Sequence, residues 1–134
     1  MEKIIINTQG FANGNPGPAA VAARISGADG VVLQELSEMI GNATEEYAEY
    51  FAVVRGLQAA IELFGDTTAN TSFVLEVSNK TVKLQLNAEQ QIQNVGLIGH
   101  FVEIHNLRVG SFPNITIAHR KPVLTKLVQK ALDG

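Results

Sequence analysis

Glu45 and Glu49 are acids whose spacing could do chemistry: four residues apart in a stretch with helix-start composition, they can share one helical face. Such a pair could hold a single hard cation through oxygen, manganese or calcium more readily than magnesium, or be two solvated acids at the positive end of a helix. Glu76 interrupts the apolar run Ser72-Phe73-Val74-Leu75-Glu76-Val77-Ser78, so it should stand at a strand end, meet a cation, or serve a function. The histidines offer no ligand spacing, since His100 and His105 are five apart, which on a helix is not one face, and His119 is remote in sequence. No Ser/His/Asp order, phosphate-binding glycine loop or dinucleotide fingerprint is present. Arg120, Lys121, Lys126 and Lys130 crowd the last fifteen positions, and Lys80 and Lys83 form a second small group. They read either as a solvated helix face that complements a helix C-terminus or as a binding patch.

The elements that must position these residues follow from the apolar pattern. Ile4-Ile5-Ile6 predicts a buried strand that stops by Gly10, and the glycines and prolines of Asn13 to Pro18 predict a defined turn after it. A strand and shaped loop of this kind could hold one side chain of the strand end against a ligand. Ala19 to Ile25 and Val31 to Ile40, with Ser26 to Gly30 between them, predict a hairpin, so the first three strands form an antiparallel meander. Asn42-Ala43-Thr44-Glu45 supplies helix-start chemistry, Glu45 to Phe64 carries apolar residues at helical spacing, and Gly65 is the expected stop. Beyond a polar loop over 67–70, Ser72 to Ser78 reads as a strand and Asn79 to Leu86 as a short helix. After a polar connector come a helix over Val95 to Arg108, broken by Gly110-Ser111-Phe112-Pro113, a strand over Asn114 to Ala118, and a helix over Val123 to Leu132.

A meander followed by strands alternating with helices argues for a mixed sheet covered by helices, and 134 residues without repeat or linker argue for one domain over 1–134. The chain is 46% hydrophobic and 17% charged, which suits a soluble globular protein. It has no cysteine, which removes disulfides and thiolate-held zinc, and no long apolar run at its start or elsewhere. The expectation is therefore a cytoplasmic protein with no membrane partner. A formal net charge of −3 gives no global attraction to a polyanion, so nucleic-acid binding would need a local basic patch.

Thr8-Gln9-Gly10 followed by Gly14-Asn15-Pro16-Gly17-Pro18 resembles the opening motif of type 1 ribonuclease H. Asn42 to Tyr50 with Gly56-Leu57-Gln58-Ala59-Ala60 is similar to that family's first helix. Glu76 to Lys80 and Gln85-Leu86-Asn87 resemble its fourth strand and the helix after it, and Ala131-Leu132-Asp133 its helical end. The resemblance spans nearly the whole chain, in the compact form without a basic protrusion. It implies an α/β fold: a five-stranded mixed sheet, an antiparallel meander plus two parallel strands, with helices on both faces.

The family hydrolyses the RNA strand of an RNA–DNA hybrid with two magnesium or manganese ions held by four acids. Carried over position by position, the resemblance implies one retained catalytic acid, Glu49, while Gln9, Asn79 and Thr125 occupy the positions of the other three. An amide keeps an acceptor oxygen but loses the charge, so neither a two-metal site nor a resident metal cofactor is expected. A weak single-ion site from Glu45, Glu49 and the Gln9 oxygen is the one remaining route. Where the family has asparagines that touch the minor groove, this chain has Glu45 and Glu46, which repel phosphates. Gly14, Asn15 and Thr44 are kept, and imply either a surviving phosphate or sugar contact or merely a well-packed turn. The expected function is a ribonuclease H-related, catalytically inactive module that weakly binds RNA–DNA hybrid or duplex, or a protein partner. The alternative is residual metal-dependent hybrid cleavage through Glu49.

Overall fold

The computed structural model describes residues 2–134. Strands β1 (Lys3–Ala12), β2 (Gly17–Gly27) and β3 (Val32–Ala43) form the antiparallel meander. Helix α1 (Glu45–Phe64) follows, then a 3-10 turn over Gly65–Asn70, β4 (Ser72–Val77) and α2 (Lys80–Leu86). A second 3-10 turn over Val95–Leu97 leads into α3 (Ile98–Ser111), β5 (Ile115–His119) and α4 (Thr125–Asp133). The sheet order is β3-β2-β1-β4-β5, with β4 parallel to both β1 and β5. This is the five-stranded mixed sheet expected from the sequence.

Strand alternation decides which helix each residue of β1 meets. Ile4 and Ile6 point into the main core, where Ile25, Tyr50, Leu57, Phe73 and Leu75 are buried. On the opposite face Ala20 and Ala22 of β2 pack with Leu124 and Val128, which seats α4. Residues 9 and 10 therefore address different helices: Gln9 bonds to the start of α4, and Gly10 to Glu49 of α1.

Several boundaries differ from the sequence expectation. β1 does not stop at Gly10 but runs to Ala12, because the ladder with β2 continues through Ala12↔Ala19. β3 likewise extends through Asn42 and Ala43, which pair with Pro18 and Gly17, leaving Thr44 as the cap of α1. Cross-strand pairing overrides the weak strand preference of Gly and Asn at both places. The polar loop over 67–70 is part of a 3-10 turn. α3 starts three residues later than expected and runs through Gly110 and Ser111, so only Phe112-Pro113 ends it. Among the described residues no helix is long and apolar enough to cross a membrane.

Candidate functional site

Gln9, Glu49, Asn79 and Thr125 stand at the carboxyl-end side of β1 and β4, on four different elements or their caps. Gln9 is 6% exposed and engaged at both ends of its amide: its Oε1 accepts from the backbone N–H of Leu124 at 2.8 Å, and its Nε2 donates to Thr125 Oγ1 at 3.2 Å. Two of the positions carried over from the family thus meet each other directly. Their bond tethers α4, whose N-cap Leu124 offers no capping side chain of its own.

Asn79 serves a local task. It is the N-cap of α2, and its Oδ1 accepts from the backbone N–H of Val82 at 3.1 Å. Thr44 and Asn15 act similarly at α1: Thr44 Oγ1 accepts from Tyr47 N–H at 3.2 Å, and Asn15 Oδ1 from Glu45 N–H at 3.3 Å. Gly14, at φ +106°, supplies the left-handed backbone that the loop requires. Thr44 also borders a cleft of about 400 Å³ whose polar side chains include Asn42, Tyr47 and Asn94.

Glu49 is 4% exposed. Its Oε1 accepts from Gly10 N–H at 2.9 Å, and the Ser78 hydroxyl lies 2.7 and 2.9 Å from its two oxygens. Gly10 makes this possible, since a Cβ there would sit 2.2 Å from the Ala48 carbonyl carbon and push α1 away. Burial raises the Glu49 carboxyl to about 7, opposed by the Ser78 and Gly10 hydrogen bonds and assisted by the nearby negative charge of Glu45. Glu45 itself remains at the surface. Among the described residues no group of three or more His, Cys, Asp or Glu is arranged to hold a metal ion.

The other candidates separate from this site. Glu76 lies next to the end of β4, accepts from Asn7 Nδ2 at 2.8 Å and meets Arg120 at 3.4 Å, so it both stands near a strand end and has a cation. His100 packs edge-on against Tyr47 and Phe51, with ring centroids at 4.7 and 5.5 Å, and its Nδ1 is 3.6 Å from Glu103. Ser78 and the Leu124 N–H carry much of the site's geometry and were missed by the sequence reading. Ser78 sits immediately before Asn79, yet no spacing rule marks a hydroxyl that reaches a carboxylate twenty-nine positions away.

Comparisons with known proteins agree with this framework. The family model described as "Reverse transcriptase-like" matches residues 7–131. A bifunctional protein of Mycobacterium tuberculosis is 33% identical over 106 residues, covering 78% of this chain but only 28% of that protein's length. Ribonuclease HI of Halobacterium salinarum is 43% identical over 65 residues, covering 43% of this chain and 33% of that enzyme. LC11-RNase H1, isolated from compost by a metagenomic approach, superimposes with a TM-score of 0.92 at 31% identity, covering 99% of this chain and 97% of that one. The same enzyme has also been solved with an RNA/DNA hybrid, and that structure superimposes with a TM-score of 0.91. With the family model spanning the sheet from β1 to α4 and a ribonuclease H1 matching end to end, the chain belongs to the type 1 ribonuclease H family.

Proposed function

We propose that this ribonuclease H-related chain is catalytically inactive and works as a nucleic-acid-binding or interaction module that holds no resident metal. The observation that carries this reading is how the oxygens at the former acid positions are used. Gln9 Oε1 accepts from Leu124 N–H and Asn79 Oδ1 from Val82 N–H, so both serve helix starts. The one retained acid, Glu49, is buried and already satisfied by Gly10 and Ser78.

A pair of divalent ions needs concentrated negative charge to compensate for shed water. Each missing carboxylate forgoes roughly 4 kcal/mol per unit of ion charge at about 4 Å and an effective dielectric near 20, before solvent compensation. With three missing and the fourth drawn toward its neutral form at pH 7, the donor set does not suit two magnesium or manganese ions. Glu45 and Glu46, at the exposed start of α1, repel phosphate where the family makes minor-groove contacts. Hybrid binding is accordingly weak, and leans on the cations of α4.

The test is cleavage of a labelled RNA–DNA hybrid in magnesium and then manganese, by this protein and by Glu49→Gln, with anisotropy binding measured on the same hybrid. The expected result is no cleavage by either protein and weak, salt-sensitive binding. Cleavage that disappears in Glu49→Gln would establish residual catalysis and overturn the reading.

A further inference from the structure

A groove of about 570 Å³ runs between the C-terminal end of α2, α3 and the start of β5. It lies toward the opposite end of the parallel strands from Gln9 and Ser78. Phe101, Pro113 and Ile115 give it apolar walls over the buried Ile104 and Phe112, while Asn87, His105 and Arg108 contribute polar atoms. None of its lining side chains is acidic.

Arg108 is the unusual member. The other three arginines each meet a carboxylate: Arg24 with Glu35 at 2.6 Å, Arg55 with Glu38 at 2.5 Å, and Arg120 with Glu76 at 3.4 Å. Arg108 is half-buried, donates from Nη1 to the Leu86 carbonyl at 3.0 Å, and has no ion-pair partner among the described residues. A guanidinium carries five N–H donors in a planar fork, and one neutral carbonyl leaves its charge and most of that fork unanswered. Burial without a counter-charge disfavours the cation, and it lowers the Arg108 pKa. The Asn87 amide is already fixed, since Nδ2 donates to the Ile117 carbonyl at 3.0 Å, so the groove is held open beside a covered stretch of β5.

We propose that this groove binds a small organic carboxylate with an apolar body, its carboxylate on the Arg108 guanidinium and its hydrocarbon part on Phe101, Pro113 and Ile115. The charge is complementary, a planar fork matches a carboxylate in a two-bond geometry, and the volume falls within the usual range for small-ligand sites. This site is independent of nucleic-acid binding.

The probe is 4-phenylbutyrate, titrated into the full chain and followed by amide chemical shifts, with 4-phenylbutan-1-ol as the uncharged control. The acid should give saturating shifts over residues 86–88 and 104–115. Binding should weaken by at least about tenfold for the alcohol and for Arg108→Gln, as expected for loss of a charge-assisted hydrogen bond. Val109 lines the groove and is 72% exposed, so Val109→Asp sets a like charge beside the ligand without disturbing the core, and should also weaken the acid. If Arg108→Gln fails to fold, Val109→Asp and the alcohol decide the matter. Equal binding of acid and alcohol, or no saturable shift with the acid, overturns the proposal and leaves Arg108 only the carbonyl and the C-terminal end of α3.

Discussion

Burial of Glu49 couples the fold to pH, and the sign follows from which state keeps the proton. The unfolded carboxyl titrates near 4.5 and the folded one near 7, so between these values the folded chain holds a proton that the unfolded chain has lost. Stability therefore falls as pH rises through this window, by on the order of 3 kcal/mol, and is level above it. Glu49→Gln keeps the shape and removes the charge. It should flatten this dependence and be more stable than the parent by roughly 1–3 kcal/mol at pH 8, with the gap shrinking at pH 5. Urea unfolding at the two pH values checks it, and a parent stability that rises from pH 5 to 8 would contradict it. Thr8, beside Gln9, offers a second residue-level test. Its Oγ1 is buried without a partner among the described residues, so Thr8→Val should raise stability by about 1 kcal/mol, read as a higher Tm. At this scale the resemblance marks positions but not contacts. Gln9, Glu49 and Asn79 lie in the segments that carry the family resemblance, whereas Thr125 follows only by counting back from Ala131-Leu132-Asp133. That Gln9 would turn to Leu124 and Thr125, more than a hundred positions away, depends on where β2 and β3 seat α4, which no local pattern encodes.

The elements are fastened where backbones approach closely, and Gly10 is such a point between a strand and a helix. A Cβ there would lie 2.2 Å from Ala48 C, 2.4 Å from Ala48 O and 2.4 Å from Glu49 N, all backbone atoms of α1 that cannot step aside singly. Gly10→Ala should therefore destabilise the protein by about 3 kcal/mol or more, beyond ordinary overpacking, and displace Glu49 from its Gly10 hydrogen bond. Gly110 is the contrast, since a Cβ there in α3 meets nothing within 4 Å, and Gly110→Ala should stabilise by roughly 0.5–1 kcal/mol. Equal effects from the two substitutions in chemical denaturation would refute the close-approach argument. The same glycine explains why element type was easier to read than element length. The isoleucine run and the helical spacing of α1 state their period locally, whereas Gly10 looks like a terminator in sequence and in the fold is a mid-strand gap cut for a helix. β3 repeats the lesson, because Asn42 and Ala43 carry helix-start chemistry yet are held by pairing with Pro18 and Gly17.

At the scale of the molecule, charge decides how this chain can meet a polyanion. The net charge of −3 opposes approach, so any hybrid or duplex binding must come from local cations strong enough to outweigh it. Lys126 and Lys130 line a shallow concavity on α4 together with Thr125, the residue that Gln9 holds, so the basic face adjoins the Gln9–Thr125 contact. Arg120 does not add fully to that face, because it is paired with Glu76. If about four phosphates are neutralised, binding should fall by roughly a hundredfold between 50 and 200 mM salt. Replacing both lysines, Lys126→Glu with Lys130→Glu, should weaken binding at 50 mM salt by at least about tenfold and halve the slope of log affinity against log salt. Anisotropy of a labelled hybrid over that salt range measures both quantities. An unchanged slope in the double variant would move the contact away from α4. A flat slope in the parent would mean that the chain meets its partner without phosphate contacts, and a protein would then be the better candidate for what this face recognises.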